Sequence, residues 1–208
     1  MESDRLVALT DGVIAVIITI MVLEMKAPAG AALADLGRLW PVFVSYLLSF
    51  VYVAIYWNNH HHFARLMPDV TGAILWANLH LLFWLSLVPF ATAWIGEHAR
   101  APAPTALYGL VLLACALAWL LLQQVVVRAQ ERRTQDPDRR TPPHGAPSAL
   151  RQALGRDRKG KASFVIYVAG IALAFVEPLL SDLAYAAVAV LWVVPDRRIE
   201  AQLRQAAP

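Results

Sequence analysis

The chain has 208 residues, of which 59% are apolar and 16% charged, with a net charge of +3 and a mean hydropathy of +0.52. Soluble domains hold roughly 45–50% apolar and about 25% charged residues, so an ordinary cytosolic globule is excluded, as is a disordered chain. One cysteine, Cys115, excludes a disulfide scaffold.

A spanning helix takes about 20 residues, so the roughly 120 apolar positions suffice for about six spans. The apolar runs place them at about 6–26, 40–63, 70–95, 105–128, 162–177 and 179–195, forming a single membrane domain over 1–208. The last two runs are short and are parted by Glu177-Pro178, which marks a turn between two short or tilted spans. The first run is followed by Ala27-Pro28-Ala29, which imitates a signal-peptide cleavage site. It is read as a permanent span, because Glu2 and Asp4 outweigh Arg5 before it and the run is too long for an h-region. The polar stretch 129–161 carries four prolines and is expected to be a cytoplasmic loop with a short helix around 148–154.

Fifteen of the eighteen Lys and Arg residues fall in segments that share a side with the N-terminus, and three (Lys26, Arg38, Arg100) fall opposite. Basic residues gather in cytoplasmic loops, so both termini are expected inside, in a multi-pass protein of the inner cell membrane. The same rule accounts for the basic loop without nucleic acid, leaving the lipid bilayer as the expected partner. Fifteen Arg against three Lys, with abundant Ala and Pro, points to a bacterial, GC-rich source.

Ionisable groups within spans are costly and therefore informative. Asp11 lies about a turn and a half into the first span, at the same membrane depth as His60, His61 and His62 at the end of the second. A contact from Asp11 to a histidine or to Arg5 is geometrically available. Consecutive histidines on a helix point about 100° apart and cannot all face one metal, so the run reads first as a polar cluster beside Tyr56 and Trp57. Asn78 and His80, inside the third span, read as buried interhelical hydrogen-bonders. No His-Glu-x-x-His, paired-Cys, nucleophile-elbow, P-loop or dinucleotide motif occurs. No enzyme activity and no cofactor are therefore expected.

On a 100° helical wheel Val16, Ile20 and Leu23 share one side of the first helix, with Thr19 at its edge and Asp11 roughly 130° or more away. Such a stripe ordinarily means lipid contact or helix packing. Ala8, Gly12 and Ala15 form an adjoining face of small residues open to close helix approach.

The run Arg5-Leu6-Val7-Ala8-Leu9-Thr10-Asp11-Gly12 resembles the Arg-x-x-x-Phe-Ser-Asp-Gly signature of the prokaryotic TMEM175 (DUF1211) potassium-channel family. Tyr56-Trp57-Asn58-Asn59-His60-His61 is similar to the family's Tyr-Trp-x-x-His-His, and weaker echoes follow at 75–79, 89–93, 107–109 and 192–200. The resemblance implies an all-α integral membrane protein of six helices, N-in and C-in, assembled as a homotetramer with the first helix lining a potassium path. It implies an apolar constriction at Val16, Ile20 and Leu23, a role for Thr19 in potassium preference, and potassium as the permeant ion. It also implies that Arg5, Thr10, Asp11, Gly12, Trp57 and His60 form the network that fixes the first helix. Leu9 stands where the family has Phe, Thr10 where it has Ser, and Val16 is smaller than the usual Ile or Leu, which points to a wider, less selective constriction. The competing readings are a proton-coupled transporter using Asp11 and His60 as a relay, and a membrane haem protein or enzyme built on the histidines.

Overall fold

The computed structural model describes residues 3–64, 70–134 and 158–193, and every regular element among them is helical. In chain order these are α1 (Ser3–Leu23), the single turn α2 (Leu33–Leu36) with a 3-10 turn at Gly37–Leu39, and α3 (Trp40–Ala64). They continue with α4 (Gly72–Ser86), α5 (Val88–Glu97), α6 (Pro102–Thr134), α7 (Arg158–Leu173) and α8 (Pro178–Val193). Four segments are long and apolar enough to cross a membrane: Asp4–Leu23, Leu33–Ala64, Gly72–Glu97 and Pro102–Arg132. The expected short helix around 148–154 and the terminal motif beyond Val193 lie outside the described residues.

Two boundaries differ from the apolar runs for local reasons. The third run is not one straight helix but α4 and α5, joined at Leu87. Pro89 has no N–H to give to the carbonyl of Leu85, and the free carbonyls of Leu85 and Trp84 are taken instead by the N–H of Leu87. The joint lets α4 lie along α6 while α5 packs on α3. At the other boundary α6 continues helically to Thr134 and α7 begins at Arg158, so the connection is shorter than 129–161. With 33 residues α6 is about 50 Å long and outruns a hydrocarbon core of about 30 Å.

The core is apolar but carries a set of buried, hydrogen-bonded hydroxyls. Ser49 Oγ lies 2.9 Å from the Tyr108 hydroxyl and 2.7 Å from that of Thr92, which also lies 2.7 Å from the Val88 carbonyl. These bonds tie α3, α5 and α6. Tyr185 performs the same task for the C-terminal half: its carbonyl accepts from the Tyr52 hydroxyl at 2.6 Å, and its own hydroxyl donates to the Thr105 carbonyl at 3.3 Å. Gly109 and Gly170 flank the Tyr185 ring so closely that a Cβ at either position would collide with it. Small residues here let three helices approach around one buried aromatic.

Candidate functional site

The first helix has two unlike faces. Leu6, Thr10, Ile14, Ile17 and Met21, spaced by three or four residues, are all buried, and they pack against α3, α4 and α5. The opposite side is open: Val16 is 54% exposed, Ile20 39% and Leu23 79%. Leu9 is exposed below them, and no atom lies within 4 Å of a Cβ placed on Gly12. This face and the neighbouring side of α5 bound an open groove of about 720 Å³, closed at one side by Ser86, Pro89 and Phe90 and at the top by Glu24. The Thr19 hydroxyl donates to the Val16 carbonyl at 2.8 Å, which orients its oxygen along the exposed side. Val16, Ile20, Leu23 and Thr19 thus share one exposed surface of one chain.

The residues of the signature meet at the other end of α1, in two separate contacts. The Thr10 hydroxyl donates to the Leu6 carbonyl at 3.0 Å and accepts from Asn78 Nδ2 at 2.9 Å. With its amide nitrogen so used, Asn78 presents Oδ1 to His60 Nε2, 2.9 Å away. All three side chains are buried, and the chain of bonds links α1 to α4 and α4 to α3. His60 Nδ1 has no partner among the described residues. The second contact is from Trp57 Nε1 to Asp11 Oδ1, at 3.0 Å, with the Trp57 ring 6.1 Å from that of His61.

The available contact between Asp11 and a histidine is therefore not the one made. Asp11 is one residue, about 100° of helix, away from Thr10, so when Thr10 turns into the core Asp11 is directed to the rim, where Trp57 stands. Arg5 is exposed and pairs with none of the described residues, and Gly12 contributes an open surface rather than a bond. His80 is a further correction. It lies on the exposed side of α4, where Trp84 Nε1 donates to its Nε2 at 3.3 Å within the same helix. Two places away, Asn78 turns inward. Asn78 is the residue missing from the expected network, although its burial and interhelical bonding were legible from its position in an apolar run.

Beyond the C-terminal end of α1, Lys26 Nζ meets Glu97 Oε1 at 2.9 Å, joining the chain after α1 to the end of α5. The hydrogen bond and charge of Glu97 hold the Lys26 ammonium above its ordinary pKa. The pair borders a hollow of about 370 Å³ lined also by Glu24, Asp35 and Arg38. Among the described residues no group of three or more His, Cys, Asp or Glu side chains could hold a metal ion.

Comparison with known proteins gives concordant matches. A family model described as the endosomal/lysosomal potassium channel TMEM175 matches residues 5–89. A potassium channel of a Chryseobacterium species is 45% identical over 205 residues, covering 99% of this chain and 100% of that protein. A potassium channel of Chamaesiphon minutus is 32% identical over 147 residues, covering 66% of this chain and 72% of its own length. A crystal structure of a lysosomal potassium-selective channel TMEM175 homolog from Chamaesiphon minutus superposes with a TM-score of 0.74 at 24% identity, over 99% of this chain and 98% of the other. That likeness is one of fold.

Proposed function

Because the chain belongs to the TMEM175 family, we propose that it is a potassium-permeable cation channel whose path runs along the exposed face of α1. The relatives are potassium channels and not enzymes, and the four membrane-capable helices make the chain a membrane protein. The finer reading has six spans, with α7 and α8 as the short pair, both termini inside, and the inner cell membrane as the location. The basic residues concentrated on one side support that orientation.

One observation carries the proposal. A helix that buries one face completely leaves large apolar side chains exposed on the other, in the register Val16, Ile20, Leu23. In a homotetramer with α1 next to the axis, the small residues Ala8, Gly12 and Ala15 permit neighbouring copies to approach, and each apolar position becomes a ring. Apolar rings stop ions by dewetting, and an ion that passes sheds part of its hydration shell without carbonyl replacements. Strong discrimination of potassium from sodium is not expected from such rings, and Thr19, one turn from Val16, supplies the nearest hydroxyl. Potassium is then the transported ion, and no resident cofactor is required.

Potassium efflux from proteoliposomes tests the reading. Wild type should conduct, and Val16→Ala, Ile20→Ala and Leu23→Ala should each raise the flux by widening or wetting a ring. Absence of flux in wild type and in all three variants would overturn it. Relay transport through Asp11 and His60 lacks support in the geometry, since Asp11 bonds Trp57 and His60 bonds Asn78.

A further inference from the structure

The groove beside α1 is apolar along most of its length, and one group breaks the pattern. Among the described residues that bound it, Glu24 is the single ionisable one. Its backbone N–H still donates to the Ile20 carbonyl at 3.1 Å, so the helical register runs one residue past Leu23. At about 1.5 Å per residue, Glu24 stands about 6 Å beyond Ile20 and about 12 Å beyond Val16, one and two turns further along the same wall. The carboxylate therefore ends the stripe that carries the proposed rings, at the level of Leu23.

Its charge is left uncompensated by its neighbours. The Glu24 side chain makes no hydrogen bond and no ion pair with another described residue. Lys26, two residues on, is bound to Glu97 Oε1 at 2.9 Å, so that cation and that carboxylate offset each other. Asp35 and Arg38, which line the adjoining hollow with Glu24, carry equal and opposite charges. One negative charge per chain remains around the hollow, and it sits on the groove. An ionised side chain is costly against hydrocarbon and cheap against water, so Glu24 marks the wet end of the groove.

We propose that Glu24 concentrates cations at the mouth of the ion path, at the C-terminal end of α1. In the assembly proposed above, the carboxylates of the copies surround the entrance beyond Leu23 and enrich potassium before it meets the apolar rings. The inference rests on that reading of α1 and adds what the rings lack, since an apolar constriction repels cations and anions alike, whereas a carboxylate ring favours cations. The Debye length is about 30 Å in 0.01 M salt and about 3 Å in 1 M, so the enrichment belongs to low ionic strength.

Single-channel recording of the full chain in planar bilayers tests it, in symmetric potassium chloride. Glu24→Gln should lower the conductance roughly threefold or more at about 10 mM, and leave it nearly unchanged at about 1 M, where the field is screened. Glu24→Asp keeps the charge and should conduct like wild type. In a Cys115→Ala background, Glu24→Cys should gain low-salt conductance from an anionic methanethiosulfonate reagent and not from a cationic one, which reads charge in channels already folded. Equal conductance of Glu24→Gln and wild type at every concentration, a loss as large in high salt as in low, or the same response to both reagents would overturn this inference and leave the channel reading standing. Absence of wild-type current would overturn both, so the two failures are distinguishable.

Discussion

Asn78 is one side chain with two obligations, and its position decides how α1 is held. Its amide donates to Thr10 and accepts from His60 with all three groups buried. Replacing it by Leu leaves a hydroxyl and an imidazole N–H without their partner in a dry interior, which costs about 1–3 kcal/mol. Asn78→Leu should therefore lower the thermal unfolding midpoint in detergent clearly, and an unchanged midpoint would show that the triad does not hold α1. Asp11 predicts the opposite pattern. An amide at position 11 still offers an oxygen to Trp57 Nε1, so Asp11→Asn should preserve fold and potassium flux, while Trp57→Phe should weaken the α1–α3 contact. Loss of flux with intact folding in Asp11→Asn would instead favour the proton relay.

Among the elements, α6, α7 and α8 pack closely around Tyr185. A methyl group at Gly109 would collide with the tyrosine hydroxyl, and one at Gly170 with the ring edge. Overpacking of a filled interior costs about 1–3 kcal/mol, so Gly109→Ala should destabilise the protein by that amount. The clash takes in the ring edge as well as the hydroxyl, so Tyr185→Phe, which keeps the ring, should recover little of the loss, whereas Tyr185→Leu, which removes the ring, should make the two changes non-additive. A double-mutant cycle on unfolding midpoints reads this coupling, and strictly additive effects would count against it. The joint at Leu87 is the second element-level device. It is written locally, in Pro89, but its result is tertiary: one apolar stretch lies along α6 through α4 and reaches α3 through α5.

For the whole molecule the open face of α1 is the feature that a single chain leaves unresolved, and assembly of copies around it is directly measurable. Cys115 is the single cysteine of the chain and is fully buried, so Cys115→Ala gives a thiol-free background. In that background the proposed assembly predicts that Val16→Cys forms disulfide-linked dimers on mild oxidation, since a disulfide needs Cα atoms about 4.4–6.8 Å apart and α1 helices packed about a close axis would meet that requirement. Ile17→Cys, on the buried face, should stay monomeric. Cross-linking at position 17 and not at 16 would place α1 away from the axis and would remove the physical basis of the apolar rings.

Helix type and the exposed stripe of α1 were legible in the sequence, because each follows from local rules. Helix type follows from the apolar runs, and the faces from the 3.6-residue repeat that sends Thr10, Ile14 and Ile17 to one side and Val16, Ile20 and Leu23 to the other. Asp11 and His60 were likewise legible as polar groups in places where burial is costly, and Thr10 and Trp57 through the resemblance to the family signature. Their partners were not. Asp11 reaches Trp57 rather than a histidine, Asn78 joins the triad, His80 faces outward, and Tyr185 gathers three helices around itself. Each of these depends on the angle and depth at which helices distant in the chain cross, quantities that no local periodicity contains. The sequence by itself determined which side chains must avoid lipid or face a neighbour. Only the tertiary structure decided which neighbour each of them meets, because a hydrogen bond requires two groups to arrive at one place from separate helices.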